Sequence, residues 1–128
     1  MAVAIVCTAL LGLLVFGLGL AVSATRGSTN VNIGYAPDPT NRLYKLVRAH
    51  GNATEYAPMM AVLILAIRAR QPAGWMVWTF VTATAFRYLH TAGMIFPTTL
   101  DRPNPLRFVG ALGTYLAGFA LVLALLMT

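Results

Sequence analysis

Residues 47–67 read VRAHGNATEYAPMMAVLILAI. The first half carries Arg48, His50, Asn52 and Glu55, and the second half is an unbroken apolar run. On a helix Arg48, Asn52 and Glu55 stand at i, i+4 and i+7, so they fall within about 60° of arc. Tyr44 and Lys45 extend this stripe, while His50 points to the other side. One helix thus joins a charged stripe to a segment suited to lipid.

Composition fixes the solvent. The chain has 128 residues, 59% hydrophobic and 9% charged, with a mean hydropathy of +0.74. Nine Lys/Arg and three Asp/Glu are too few to coat a soluble domain of this size, so an integral membrane protein is expected. The formal charge of +6 does not mark a nucleic-acid binder. Such a surface needs clustered, solvent-facing charge, and here the charges flank apolar runs, as they do beside membrane spans. The single cysteine, Cys7, excludes an internal disulfide and reads as a helix-packing residue.

Four spans are expected, at about 2–22, 41–70, 73–96 and 106–127, each near the roughly 20 residues that cross a bilayer. The first, AVAIVCTALLGLLVFGLGLAV, carries no charge. No basic segment precedes it and its apolar run is long for a signal peptide, so a retained helix is expected. Residues 23–40, rich in Ser, Thr, Asn, Gly and Pro, read as a loop. Pro58 is expected to kink the second helix near Glu55, and Trp75 and Trp78 to anchor the third at the membrane interface. Gly110, Thr114 and Gly118 form a small-residue stripe for close packing of the fourth helix. Loops one and three, with their flanks, carry Arg26, Arg42, Lys45, Arg48, Arg102 and Arg107, against Arg68 and Arg70 in loop two. The positive-inside rule then puts loops one and three in the cytoplasm and both termini outside. No domain boundary or internal repeat interrupts residues 1–128. One all-α, up-down bundle is the expected architecture.

The third helix repeats the polar anomaly, with Arg87, His90 and Thr91 sharing a face with Thr84, and Arg107 opens the fourth. Charges in a membrane interior cost about 2.5–3.5 kcal/mol each on insertion scales and are usually paired or functional. A purely structural network would pair Glu55 with Arg48 or Arg87. Yet three arginines face one acid, and surplus buried positive charge calls for an anion. A zwitterionic peptide with several carboxylates suits this inventory better than a phosphate. Glu55 and Asn52 would hold its ammonium or amide groups.

Three segments together resemble the MAPEG family, the membrane-associated proteins in eicosanoid and glutathione metabolism: YKLVRAHGNATEYAP, FRYLHTAGM and PLRFVGAL. The family's second helix has the pattern Arg-Ala-(His/Gln)-x-Asn-x-x-Glu, commonly followed by Tyr and Pro. Here these are Arg48, Ala49, His50, Asn52, Glu55, Tyr56 and Pro58. The resemblance spans the whole chain and implies a homotrimer in membrane lipid, with glutathione between neighbouring subunits near the cytoplasmic side. By position it implies that Arg48, Asn52, Glu55 and Tyr56 grip the tripeptide. Arg87 and His90 would join from the third helix, and Arg26 from the end of the first. Arg107 would stabilise the thiolate. A free thiol has a pKa of about 8.5, and an adjacent guanidinium raises its nucleophilic fraction. A lipophilic electrophile or lipid hydroperoxide dissolved in the bilayer would be the second substrate.

The chain also departs from the family's eicosanoid enzymes. His90 and Met94 stand where those have tyrosines, and Phe108, Val109 and Gly110 follow Arg107, without the serine of the prostaglandin enzyme. This argues against prostaglandin isomerase activity and for a bacterial-type detoxifying transferase or peroxidase in the inner membrane. His50 and His90 suit interhelical hydrogen bonds better than haem, no spacing matches a zinc site, and Tyr115 and Met59, Met60 and Met94 read as packing residues. Two rival readings remain: a small four-helix transporter using Glu55 as its coupling carboxylate, and a catalytically silent structural subunit. Arginines on three helices weigh against the transporter, since they would hold the acid ionised.

Overall fold

The computed structural model describes residues 2–128, and within them it contains four helices and no strand. They are α1 (Ala2–Thr29), α2 (Arg42–Arg68), α3 (Gly74–Ile95) and α4 (Pro105–Leu126). α3 packs most closely on α4 and α1 on α2, while α2 touches both α3 and α4. α1 and α4 are each long and apolar enough to cross a membrane. Their outer faces present Leu13, Phe16 and Leu20, and Leu116, Phe119 and Leu123, all exposed.

α1 runs to Thr29, past the expected end at residue 22. The hydroxyls in this extra length bond to the helix itself: Thr25 to the Ala21 carbonyl at 2.8 Å, Ser28 and Thr29 to that of Thr25 at 3.0 and 2.7 Å. Polar residues satisfied in this way do not stop a helix. The stop comes at Asn30, whose φ of 54° is the left-handed conformation common just past a helix end.

α2 and α4 begin where the side chains dictate. Asn41 Oδ1 accepts from the amides of Leu43 and Tyr44 at 2.8 and 3.2 Å, and Asn104 Oδ1 from that of Arg107 at 3.1 Å. Each satisfies amides that the first turn leaves unpaired. Pro105, at the start of α4, needs no amide partner there. α2 continues unbroken through Pro58.

Two apolar clusters make the core. One gathers Leu11, Ile64, Phe80 and Leu121 among others, the second Leu14, Leu18, Leu46, Ala49, Ala53 and Met94. Arg87 on α3 lies in sequence where that helix passes from the first cluster to the second. At the end of the bundle that holds the site, loops one and three meet. Leu100 N–H donates to the Pro39 carbonyl at 3.1 Å and Lys45 Nζ to that of Pro97 at 2.8 Å. In loop one, hydrogen bonds from the Thr40 hydroxyl and amide hold the Asp38 carboxyl below its ordinary value.

The close approach of α3 to α4 depends on glycines. A Cβ on Gly110 would collide with the backbone of His90, and one on Gly93 with the backbone of Arg107. One on Gly113 would run into the Phe86 ring. The expected stripe of Gly110, Thr114 and Gly118 holds at its first two members, which are buried. Gly118 is different, because a Cβ there would meet nothing nearer than Met60 Cε at 3.9 Å.

Candidate functional site

A cavity of about 510 Å³ opens where α2, α3, α4 and the two polar loops converge. Arg48, Gly51, Asn52 and Glu55 line it from α2, His90 and Met94 from α3, and Arg107 from α4. Tyr35 and Leu100 come from loops one and three, and Tyr44 and Val47 from the first turns of α2. Its size falls within the roughly 300–1,000 Å³ of small-molecule sites. Two guanidinium groups against one carboxylate leave its wall with a surplus positive charge.

The helical stripe explains how α2 supplies three of these side chains at once. Ala49, Ala53 and Ala57 are buried on the neighbouring face, at 1%, 0% and 1% exposure. Their small size lets α2 sit tightly in the bundle, while Arg48 and Glu55 stay exposed in the single chain. His50 lies apart from them, its ring beside Gly19 of α1.

Arg87 stands behind the cavity wall rather than in it. It is 1% exposed, the largest of the fully buried side chains. Its Nη2 donates to Asn52 Oδ1 at 2.7 Å and to the Asn52 carbonyl at 3.2 Å, and its Nη1 to Thr114 Oγ1 at 3.4 Å. The ring of Tyr56 covers it, 5.1 Å from guanidinium carbon to centroid, in a cation–π arrangement. Tyr56 is in turn hydrogen-bonded to Tyr115 of α4, 3.1 Å between hydroxyls. α2, α3 and α4 therefore meet on one guanidinium. The Asn52 oxygen is occupied by a donor, which leaves its NH₂ group as the end that can serve the cavity.

Arg107 and His90 are fixed to each other and to loop three. The His90 Nδ1 lies 3.0 Å from the Arg107 carbonyl. A carbonyl only accepts, so Nδ1 carries the proton and, in the neutral ring, Nε2 is the acceptor. Arg107 Nη1 donates to the Leu100 carbonyl at 2.9 Å and Nη2 to that of Arg102 at 3.4 Å. Two of five N–H donors are engaged in this way, and the remainder are available to a ligand.

Of the residues expected at the site, Arg48, Asn52, Glu55, His90 and Arg107 line the one cavity, and Arg87 and Tyr56 adjoin it through Asn52. Arg26 lies outside its wall. Its Nη1 donates to the carbonyls of Val31 and Gly34 at 3.3 and 2.8 Å, which ties down the loop that carries Tyr35. Tyr35 was not foreseen. Its ring stands edge-on to that of Tyr44, 5.3 Å between centroids, and an aromatic residue in a polar loop was the one signal for it.

Comparison with protein families matches the MAPEG family model to residues 4–127, essentially the whole chain. None of the curated proteins compared matches the chain. An all-helical bundle with two long apolar helices and a polar cavity accords with a membrane-bound family, and with the family model matched from end to end, this chain belongs to the MAPEG family.

Proposed function

We propose that the chain is a multi-pass membrane glutathione transferase or peroxidase, active as a homotrimer. It activates the glutathione thiol for attack on a lipophilic electrophile or lipid hydroperoxide. The observation that carries this reading is the single cavity that gathers Arg48, Asn52, Glu55, His90 and Arg107. Glutathione at neutral pH has two carboxylates and one ammonium, a net charge opposite to the surplus on the wall. Arg48 would take a carboxylate, Glu55 the ammonium and the Asn52 NH₂ group a carboxylate or amide oxygen. Arg107 would then stand beside the sulfur. Its guanidinium favours thiolate over thiol, and the sulfur anion is the nucleophile.

Family membership supports this role at the level of the family, and the arrangement of charge supports it for these residues. Arg48 and Glu55 are exposed in the single chain, where a membrane protein rarely leaves charge uncovered, and a neighbouring subunit would cover them. The positive-inside count supports a cytoplasmic position for the cavity end of the bundle, and we propose a bacterial inner membrane as its setting. Equilibrium dialysis of labelled glutathione against detergent-solubilised protein tests the reading. Saturable binding that Arg48→Ala weakens at least tenfold is expected, and equal binding by the two proteins would refute the assignment.

A further inference from the structure

The ionisable side chains in the wall of the polar cavity are Tyr35, Tyr44, Arg48, Glu55, His90 and Arg107. A guanidinium cannot take up a further proton, and a phenol at neutral pH still holds its own. The Glu55 carboxylate is taken by an ammonium group in the reading above. That leaves His90, and imidazole is the side chain that exchanges a proton near neutrality. The fold holds its ring in one tautomer. Nδ1 donates to the Arg107 carbonyl at 3.0 Å, so the lone pair of the neutral ring is on Nε2. Nε2 has no partner among the described residues and is not sealed in the core. A Cβ on Gly110 would collide with the His90 backbone, and one on Gly93 with that of Arg107. The two residues thus sit where α3 and α4 touch backbone to backbone. The Arg107 guanidinium is tied to the carbonyls of Leu100 and Arg102 at 2.9 and 3.4 Å. A proton acceptor and a guanidinium therefore keep a fixed relation on one wall.

Resting on the glutathione reading above, we propose that His90 is a catalytic residue whose Nε2 takes the thiol proton while Arg107 stabilises the sulfur anion. The S–H bond breaks, its electron pair stays on sulfur and the proton moves to Nε2. The Nδ1 bond to the Arg107 carbonyl survives the step, because both ring nitrogens donate in the cation. Arg87 and Arg107 lie close enough to act on the ring's charge, and Arg48 and Glu55 face the same cavity from α2. The thiolate is the new negative charge that balances the imidazolium. With a lipid hydroperoxide, sulfur bonds to the terminal oxygen as the O–O bond breaks, and the electron pair leaves on the alkoxide. His90 returns its proton to that alkoxide. The products are an alcohol and a glutathione sulfenic acid, which a second glutathione converts to disulfide and water. With an aryl chloride, chloride leaves with the electron pair and needs no proton. His90 thus acts twice on a hydroperoxide and once on an aryl chloride.

The test uses the full-length protein in lipid nanodiscs, with stopped-flow ultraviolet absorbance following glutathione thiolate at neutral pH. His90→Asn keeps a side-chain donor for the Arg107 carbonyl but has no basic nitrogen. It should form thiolate about 10²-fold more slowly, the lower end of what a general base supplies, a loss far larger than any in glutathione affinity by equilibrium dialysis. Added imidazole should restore the rate in His90→Ala. Thiolate complexes formed beforehand are then mixed with chlorodinitrobenzene or with a fatty-acid hydroperoxide. The slowing caused by His90→Asn should be at least about tenfold greater for the hydroperoxide. A wild-type rate of thiolate formation in His90→Asn, or a His90→Ala rate that imidazole does not move, would overturn His90 as the base and leave the glutathione reading standing. Equal slowing with the two electrophiles would overturn the return of the proton. Failure of the wild type to form thiolate would overturn the glutathione reading, and the role of His90 with it.

Discussion

Arg87 on α3 reaches across to α2 and donates to the side-chain oxygen of Asn52 at 2.7 Å, though neither residue is near the other in sequence. A buried guanidinium thereby sets which way the asparagine amide faces the cavity. Thr114 on α4 and the Tyr56 ring complete its surroundings.

Removing Arg87 should therefore cost both stability and affinity. Arg87→Leu leaves Asn52 Oδ1 without its donor and Thr114 with one bond fewer, each a loss of about 1–3 kcal/mol where the group is buried. Arg87→Lys should rescue little, because one ammonium cannot reproduce the planar fork that spans Asn52 and Thr114. Thermal unfolding in detergent and glutathione binding measure the two effects, and both should fall together.

Glycine substitutions on α4 should separate sharply. Gly110→Ala places a methyl against the His90 backbone, which cannot yield as a side chain would, and should cost at least about 1–3 kcal/mol. Gly118→Ala meets only Met60 Cε at 3.9 Å and should be neutral or slightly stabilising, given alanine's higher helix propensity. Melting temperatures of the two variants give the comparison.

These glycines show what was legible in the sequence and what was not. Helical periodicity put Arg48, Asn52 and Glu55 on one face, because that relation is internal to α2. It could not single out Gly113, which meets Phe86, over Gly118, because the choice depends on the α3 side chains opposite. The partner of Arg87 was hidden for the same reason. Ion pairing suggested Glu55, whereas packing supplies Asn52 and Thr114. The end of α1 was misplaced because hydropathy falls at Ser23 while the helix continues on its own hydroxyl–carbonyl bonds. Tyr35 enters the cavity on a loop, where no periodicity exists to reveal it.

Asn104→Ala should act on both the fold and the proposed chemistry. It removes the cap of α4 at the amide of Arg107 itself, a loss of about 1 kcal/mol for such caps. A loosened first turn also frees the Arg107 guanidinium, so kcat for conjugation should fall more than KM for glutathione rises. Steady-state kinetics at saturating electrophile measure the split.

Glu55→Gln separates the transferase from a proton-coupled carrier. Binding of the glutathione ammonium predicts affinity reduced about tenfold or more, since an ionic hydrogen bond contributes about 1.5–3 kcal/mol, with no effect on proton release. A carrier predicts the loss of substrate-coupled proton movement in proteoliposomes, which a pH-sensitive dye inside the vesicles reports.

The most direct measurement is an ultraviolet difference titration of glutathione thiolate by the purified protein at neutral pH, run beside Arg107→Ala. The account predicts a saturable thiolate signal in the wild type, about one per site, that the variant loses while still binding glutathione. No thiolate in the wild type, or the same signal in both proteins, would contradict the assignment of Arg107 as the residue that activates the thiol.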